Sequence, residues 1–151
     1  MIEGVKITKL TKLVDDRGYL MEILRSDDAD FQRFGQVYVT VCLPGMVKAW
    51  HLHRRQTDYF CIIRGAAKIG LYDGREGSPT YRQTQTVYLS ELESCRLQIP
   101  PGVWHGQMAL GGEPCYLLNV PTELYNYQDP DEVRRDPFDN DFGYDWLPKS
   151  R

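Results

Sequence analysis

The chain holds three histidines in 151 residues, and all three fall on one spacing pattern. Gly45 is followed by His51 and His53, then by Asp58 and Gly65; Pro100, Gly102 and His105 come much later. Imidazoles beside a carboxylate suit two kinds of chemistry. One is proton transfer near neutral pH, where histidine titrates. The other is coordination of a transition metal with one position left open. A lone histidine in a strand is usually a hydrogen-bonded residue of core or surface. Three on one pattern point to a shared site, because clustered titratable groups in clefts mark function.

Strands must bring these groups together. Apolar residues alternate with period two over residues 5–10 and 36–43, and further strands are expected at 59–63, 67–72, 86–89, 95–99 and 115–120. Breakers separate them: Asp16-Arg17-Gly18, Pro44-Gly45, Arg64-Gly65, Asp73-Gly74, Pro100-Pro101-Gly102 and Gly111-Gly112. Many short strands at near-regular spacing predict an all-β sandwich or barrel. His51 and His53, two residues apart on one strand, face the same side. Asp58 begins the next strand, and His105 opens another after the Pro-Pro-Gly turn. The four groups can converge in a pocket otherwise lined by side chains such as Trp50, Phe60 and Trp104. One or two helical turns are expected at residues 131–135, after Pro130. The acidic, aromatic tail from residue 136 to 151 is expected to pack over the mouth or side of the barrel.

Composition narrows the function. A length of 151 residues fits one domain, residues 1–151. A net charge of -3 argues against a nucleic-acid partner. No apolar run approaches the ~20 residues needed to span a bilayer, so no membrane partner is expected. The first residues lack the apolar segment of a signal peptide. Four cysteines without tight spacing read as reduced thiols, hence a cytoplasmic location.

The two histidine stretches resemble the two cupin motifs, Gly-x5-His-x-His-x4-acid-x6-Gly and Pro-x-Gly-x2-His, with Asp58 in place of the usual Glu. That resemblance implies a double-stranded β-helix, a jelly-roll barrel with a short helical or irregular C-terminal tail. A second resemblance is more specific. The run Asp15-Asp16-Arg17-Gly18-Tyr19-Leu20-Met21-Glu22 is similar to the opening Arg-Gly-x-x-x-Glu segment of the dTDP-4-dehydrorhamnose 3,5-epimerase family. Phe34-Gly35-Gln36, Trp50-His51, Gln56, Arg64-Gly65, Ser78-Pro79-Thr80, Ile99-Pro100-Pro101-Gly102 and His105-Gly106 follow that family's landmarks in order. Tyr125-Asn126-Tyr127 and Tyr144-Asp145-Trp146 are similar to its later aromatic signatures.

The family resemblance implies an isomerase that removes a proton beside the ketone of a nucleotide-linked 4-keto-6-deoxy sugar. His51 matches the base, His105 the second pocket histidine, and Asp139 the orienting carboxylate, with Asp136 and Asp141 as rivals. Arg17 and Glu22 match nucleotide-holding positions, and Lys48 stands where a diphosphate contact is expected. Gln36, His53, Asp58 and Tyr125 complete the expected substrate contacts. No cofactor is required on this reading, and a homodimer is expected. Two positions depart from the family: Asp58 aligns with its enolate-stabilising Lys, and Leu118 with its proton-donating Tyr. The His-x-His pair also resembles sugar-nucleotide 3,4-ketoisomerases. A metal-dependent cupin, isomerase or dioxygenase, would use His51, His53, Asp58 and His105 as ligands of a divalent metal. A cupin that binds ligand without catalysis is the remaining alternative.

Overall fold

Apolar residues that alternate with period two form strands with one face turned to a core. The computed structural model describes residues 1–148. Its strands in chain order are β1 (Lys6–Lys9), β2 (Lys12–Asp15), β3 (Gly18–Met21), β4 (Tyr38–Cys42), β5 (Val47–Leu52) and β6 (Asp58–Arg64), then β7 (Ala66–Asp73), β8 (Thr84–Ser90), β9 (Cys95–Ile99), β10 (Val103–Ala109), β11 (Cys115–Asn119) and β12 (Val133–Arg134). The first sheet runs β1-β9-β6-β11-β4 and the second β12-β5-β10-β7-β8, while β2 and β3 form a separate hairpin. Pairing within the sheets is antiparallel. This is the jelly-roll barrel of the cupin fold. Every run expected from alternation overlaps a strand, and the histidine-bearing stretches are β5 and β10.

The expected helix at 131–135 is absent; no helix forms among the described residues. Residues 133–134 instead make an edge strand, with Val133 opposite Leu52 and Arg134 opposite His51. The reason lies in competing partners. The Asp131 carboxylate accepts the backbone N–H groups of Arg54, Arg55 and Gln56 at 3.1, 2.9 and 3.2 Å. Trp50 and Arg135 exchange both backbone hydrogen bonds, at 2.9 and 3.1 Å. A helix of one or two turns has a costly nucleus and cannot match these pairings.

The space between the sheets is filled by Phe60, Ile62, Ile69, Leu71, Leu97, Ile99, Val103 and Leu117, among others. Fully burying such a side chain contributes about 1.5–3 kcal/mol. A second cluster covers the outer face of the second sheet: Trp50, Tyr72, Trp104 and Met108 under Phe142 and Trp146. Up to residue 148 the tail therefore packs over the side of the barrel, and residues 149–151 lie outside the described residues. Phe142 stacks on Tyr72 with centroids 4.0 Å apart, and Trp146 lies 4.9 Å from Trp50. Gly70 leaves room for it, since a Cβ there would sit 2.7 Å from the Trp146 ring. Trp50 and Trp104 thus belong to this outer cluster and not to the pocket lining expected for them. Strand alternation is the cause: when His51 and His105 face inward, their neighbours Trp50 and Trp104 face outward.

One irregularity sets the active face. Between β5 and β10, His105 pairs with His51 but Gln107 pairs with Lys48, so β5 carries an extra residue. Gly106 sits inside this bulge. A Cβ at Gly106 would lie 2.2 Å from Ala49 Cβ and 2.9 Å from the Lys48 carbonyl oxygen. Gly106→Ala is predicted to cost about 2 kcal/mol or more by overpacking. Urea unfolding checks this; an unchanged midpoint would contradict it.

Candidate active site

A cleft of about 870 Å³ opens between the two sheets. The first sheet lines it with Tyr38, Thr40, Phe60 and Leu117, and the second with Lys48, His51, His105 and Gln107. Its volume is that of a small-molecule site. His53, Gln36 and Tyr125 also line it, so most of the expected substrate contacts meet there.

His51 faces the cleft from β5, and its Nδ1 donates to Glu132 Oε1 at 2.6 Å. That bond places the proton on Nδ1 and leaves Nε2 as the basic nitrogen. The His51 hydrogen bond pulls the Glu132 carboxyl down to about 2 against its partial burial, with help from Arg134. Glu132 therefore stays charged across the working pH range. Such an arrangement has the geometry to act as a base with an orienting carboxylate.

The carboxylate behind His51 is Glu132 and not Asp139. Asp139 is exposed, and its backbone N–H is taken up by Asp136 at 2.8 Å. Asp136 caps that same turn, and Asp141 pairs with Arg135 at 2.6 Å. Glu132 lies 81 residues from His51 and meets it only through the β12–β5 pairing. No local motif announces such a contact.

Behind His51 the other groups form a second unit. The His53 Nδ1 donates to the Asp131 carbonyl oxygen. The His105 Nδ1 donates to the Val103 carbonyl oxygen at 3.1 Å. Both Nε2 atoms then turn toward Asp58 Oδ2, at 3.8 and 3.6 Å. Burial pushes His105 down to about 4, with Asp58 opposing, so the ring is neutral at pH 7. A neutral ring with its proton on Nδ1 presents a bare Nε2, an acceptor on the side of Asp58. Asp58, 1% exposed, keeps Oδ1 occupied by Gln56 Nε2 and Asn119 Nδ2, each at 2.7 Å.

The ligand atoms of His53, Asp58 and His105 lie within 4.8 Å of one another. The donor set fits a divalent cation, which would polarise a bound carbonyl. His51 is not part of this close group. The four-ligand set read from the sequence therefore reduces to three.

Three expected positions lie elsewhere. Arg17 sits at the tip of the β2–β3 hairpin with its side chain 89% exposed, paired to Asp15. Glu22 pairs with Arg25 at 2.6 Å beside a separate, smaller cavity of about 230 Å³. Leu118, on β11, pairs with Val39 and Cys61, while its neighbour Leu117 faces the cleft. The register shift in the β11–β6 pairing places its extra residue on β6, so β11 alternates without a break: Cys115, Leu117 and Asn119 face inward and Leu118 faces away. Beyond Glu132, residue reading missed Tyr38, Thr40, Gln107, Asn119 and Arg134, whose roles arise only from contacts between sheets or with the β12 segment.

The jelly roll is cupin-like, and a carboxylate-backed imidazole in its cleft suits an enzyme that moves protons. Residues 1–151 match the dTDP-4-dehydrorhamnose 3,5-epimerase family, and the chain belongs to it. It is accordingly an enzyme of the isomerase class. The chain is 40% identical over 151 residues to the spore coat polysaccharide biosynthesis protein SpsL of Bacillus subtilis (strain 168), covering 100% of both chains. It is 32% identical over 154 residues to a dTDP-4-dehydrorhamnose 3,5-epimerase of Methanothermobacter thermautotrophicus, covering 96% of this chain and 80% of that one. A solved structure of a dTDP sugar isomerase from Desulfovibrio desulfuricans G20 superposes with a TM-score of 0.89 at 33% identity, covering 96% of this chain and 92% of that one.

The neutral His105 makes stability depend on pH. In the unfolded chain its imidazole binds a proton below about pH 6.5, but in the folded protein only near pH 4. The unfolded state thus holds more protons between these values, and stability falls as pH drops through them. The predicted loss is at most about 3 kcal/mol, complete near pH 4. Denaturant unfolding from pH 7 to 4 checks it. The slope should flatten in His105→Gln; an unchanged slope would contradict the assignment.

Proposed function

We propose that the chain epimerises a dTDP-4-keto-6-deoxy sugar at a carbon beside its ketone, with His51 as the base and no cofactor required. The His51–Glu132 pair facing the cleft carries this reading. A proton next to a carbonyl is weakly acidic, and a positioned base is worth about 10²–10⁴-fold in rate. Nε2 of His51 takes that proton, and Glu132 stabilises the imidazolium that forms. Charge on the enolate and on the diphosphate is met by the cleft's two cations, Lys48 and Arg134. Lys48 is steadied by Thr40 Oγ1 at 3.0 Å. His53 and His105 accept sugar hydroxyls through Nε2, and Gln36 and Tyr125 contact the substrate at the rim. The names of the relatives supply the dTDP-sugar class, and the cleft's mix of apolar walls with Lys48, Gln107 and Arg134 supports it.

Residues 1–151 are read as one catalytic domain. Four free cysteines suit a reducing, cytoplasmic location. No helix among the described residues is long and apolar enough to cross a membrane.

A homodimer completes the reading. Leu13, Val14, Tyr19 and Leu20 are exposed on the β2–β3 hairpin, and Val37 and Val39 on the β4 edge. Apolar surface of this kind favours a partner. Arg17 and Glu22 lie off the cleft of their own protomer, so a second copy is needed to bring nucleotide contacts from that hairpin. Sedimentation equilibrium should give twice the chain mass; a monomer at micromolar concentration would contradict it.

The function is tested by incubating a dTDP-4-keto-6-deoxy sugar with the protein in deuterated buffer and following C3 and C5 by NMR. Deuterium should enter beside the ketone, and the product should be an epimer. His51→Asn should abolish the exchange. Glu132→Gln should slow it by about 10²-fold or more, because the imidazolium loses its partner. Loss of exchange on chelation would favour the three-ligand metal centre. A product with its ketone moved to C3 would favour ketoisomerisation, and binding without exchange a purely binding role.

A further inference from the structure

Inverting a carbon needs a proton delivered to the face opposite the one from which it was taken. His51 works from the second sheet, so a donor on the first-sheet wall is required. Leu118 cannot serve, being a hydrocarbon on the wrong face of β11. Three cleft tyrosines carry an acidic proton: Tyr38, Tyr125 and Tyr127. Tyr125 and Tyr127 stack edge-on at 4.9 Å, and Tyr127 is 89% exposed. Tyr38 alone stands on a strand of the first sheet, at the start of β4 opposite Asn119.

The hydrogen bonds around Tyr38 fix where its proton points. Asn119 is fully buried, and its Oδ1 accepts the Tyr59 backbone N–H at 3.1 Å. A backbone N–H can only donate, so the amide orientation is determined. Asn119 Nδ2 then donates to the Tyr38 hydroxyl oxygen at 2.9 Å and to Asp58 Oδ1 at 2.7 Å. The Tyr38 oxygen is therefore an acceptor toward the protein. Its own hydrogen is left to donate into the cleft.

Resting on the proposed epimerase reading, we propose that Tyr38 is the catalytic proton donor on the face opposite His51, aimed by Asn119, which Asp58 holds in turn. The enolate double bond takes the phenolic proton: a C–H bond forms, the Tyr38 O–H bond breaks, and its electron pair stays on the phenolate oxygen. The enolate oxygen returns to a carbonyl. The hydrogen bond from Asn119 Nδ2 steadies the phenolate until solvent in the open cleft returns its proton, while His51 releases the proton it took. Burial, with the Asp58 charge, pushes the Tyr38 phenol up to about 12, so it is loaded with its proton at neutral pH. This gives Asp58 a task in the resting site. It is a positioning residue, joined to Tyr38 through one amide.

Tyr38→Phe in the full-length chain separates the two half-reactions. In deuterated buffer, proton loss beside the ketone should stay within about threefold of the unsubstituted protein, while epimer should fall by about 10²-fold or more. Asn119→Ser should show the same split in weaker form, with dTDP affinity retained. Wild-type epimer formation by Tyr38→Phe would overturn the proposal. So would equal loss of exchange and inversion, which marks a structural role. Absence of exchange in the unsubstituted protein would instead overturn the epimerase reading, and this inference with it.

Discussion

The pairing of β12 with β5 is the contact on which the site depends. It is two residues long, yet it delivers three things to β5 and the residues that follow it. The Glu132 carboxylate reaches His51, the Asp131 carbonyl reaches His53, and the Asp131 side chain ties down the backbone of residues 54–56. Both imidazoles thereby have their Nδ1 protons committed, and both present Nε2. A histidine without such a partner would divide its population between tautomers and rotamers, and only part of it would be competent.

The barrel separates support from chemistry by strand alternation. On β5, Trp50 turns outward beneath Phe142 and Trp146 while His51 turns inward. On β10, Trp104 and His105 divide in the same way. The aromatic tail therefore clamps the outer face of the strands whose inner face carries His51 and His105. Aromatic pairs of this kind contribute about 0.5–1.5 kcal/mol each beyond their burial. The rigidity they confer matters more here than their energy, since a base misplaced by about 1 Å can lose 10²-fold in rate. The bulge at Gly106 completes the device by setting His105 directly across from His51.

The strands and the histidine cluster were legible because both depend on local pattern. Alternation located β1, β4, β6, β7, β8, β9 and β11 to within a few residues but missed the β2–β3 hairpin and β12, and the two-residue spacing of His51 and His53 assigned them to one face. The rest depends on partners far apart in the chain. Glu132 was hidden in a stretch that reads as a helical turn, and Asp139 looked better placed by count alone. Leu118 was the position given by counting from His105, but the regular alternation of β11 turns it away and leaves Leu117 facing the cleft. Trp50 and Trp104 were assigned to the pocket for their chemistry, although alternation with His51 and His105 already placed them outside. Tyr38 and Asn119 gave no signal, because each owes its role to the other across the β4–β11 pairing.

The tautomer of His51 is the most direct measure of whether β12 does what is claimed for it. Nitrogen-15 NMR of the imidazoles at alkaline pH should show His51 with a protonated, hydrogen-bonded Nδ1 and a bare Nε2, and Glu132→Gln should weaken that preference. A His51 protonated on Nε2 in the free protein would contradict it, since no base would then face the cleft.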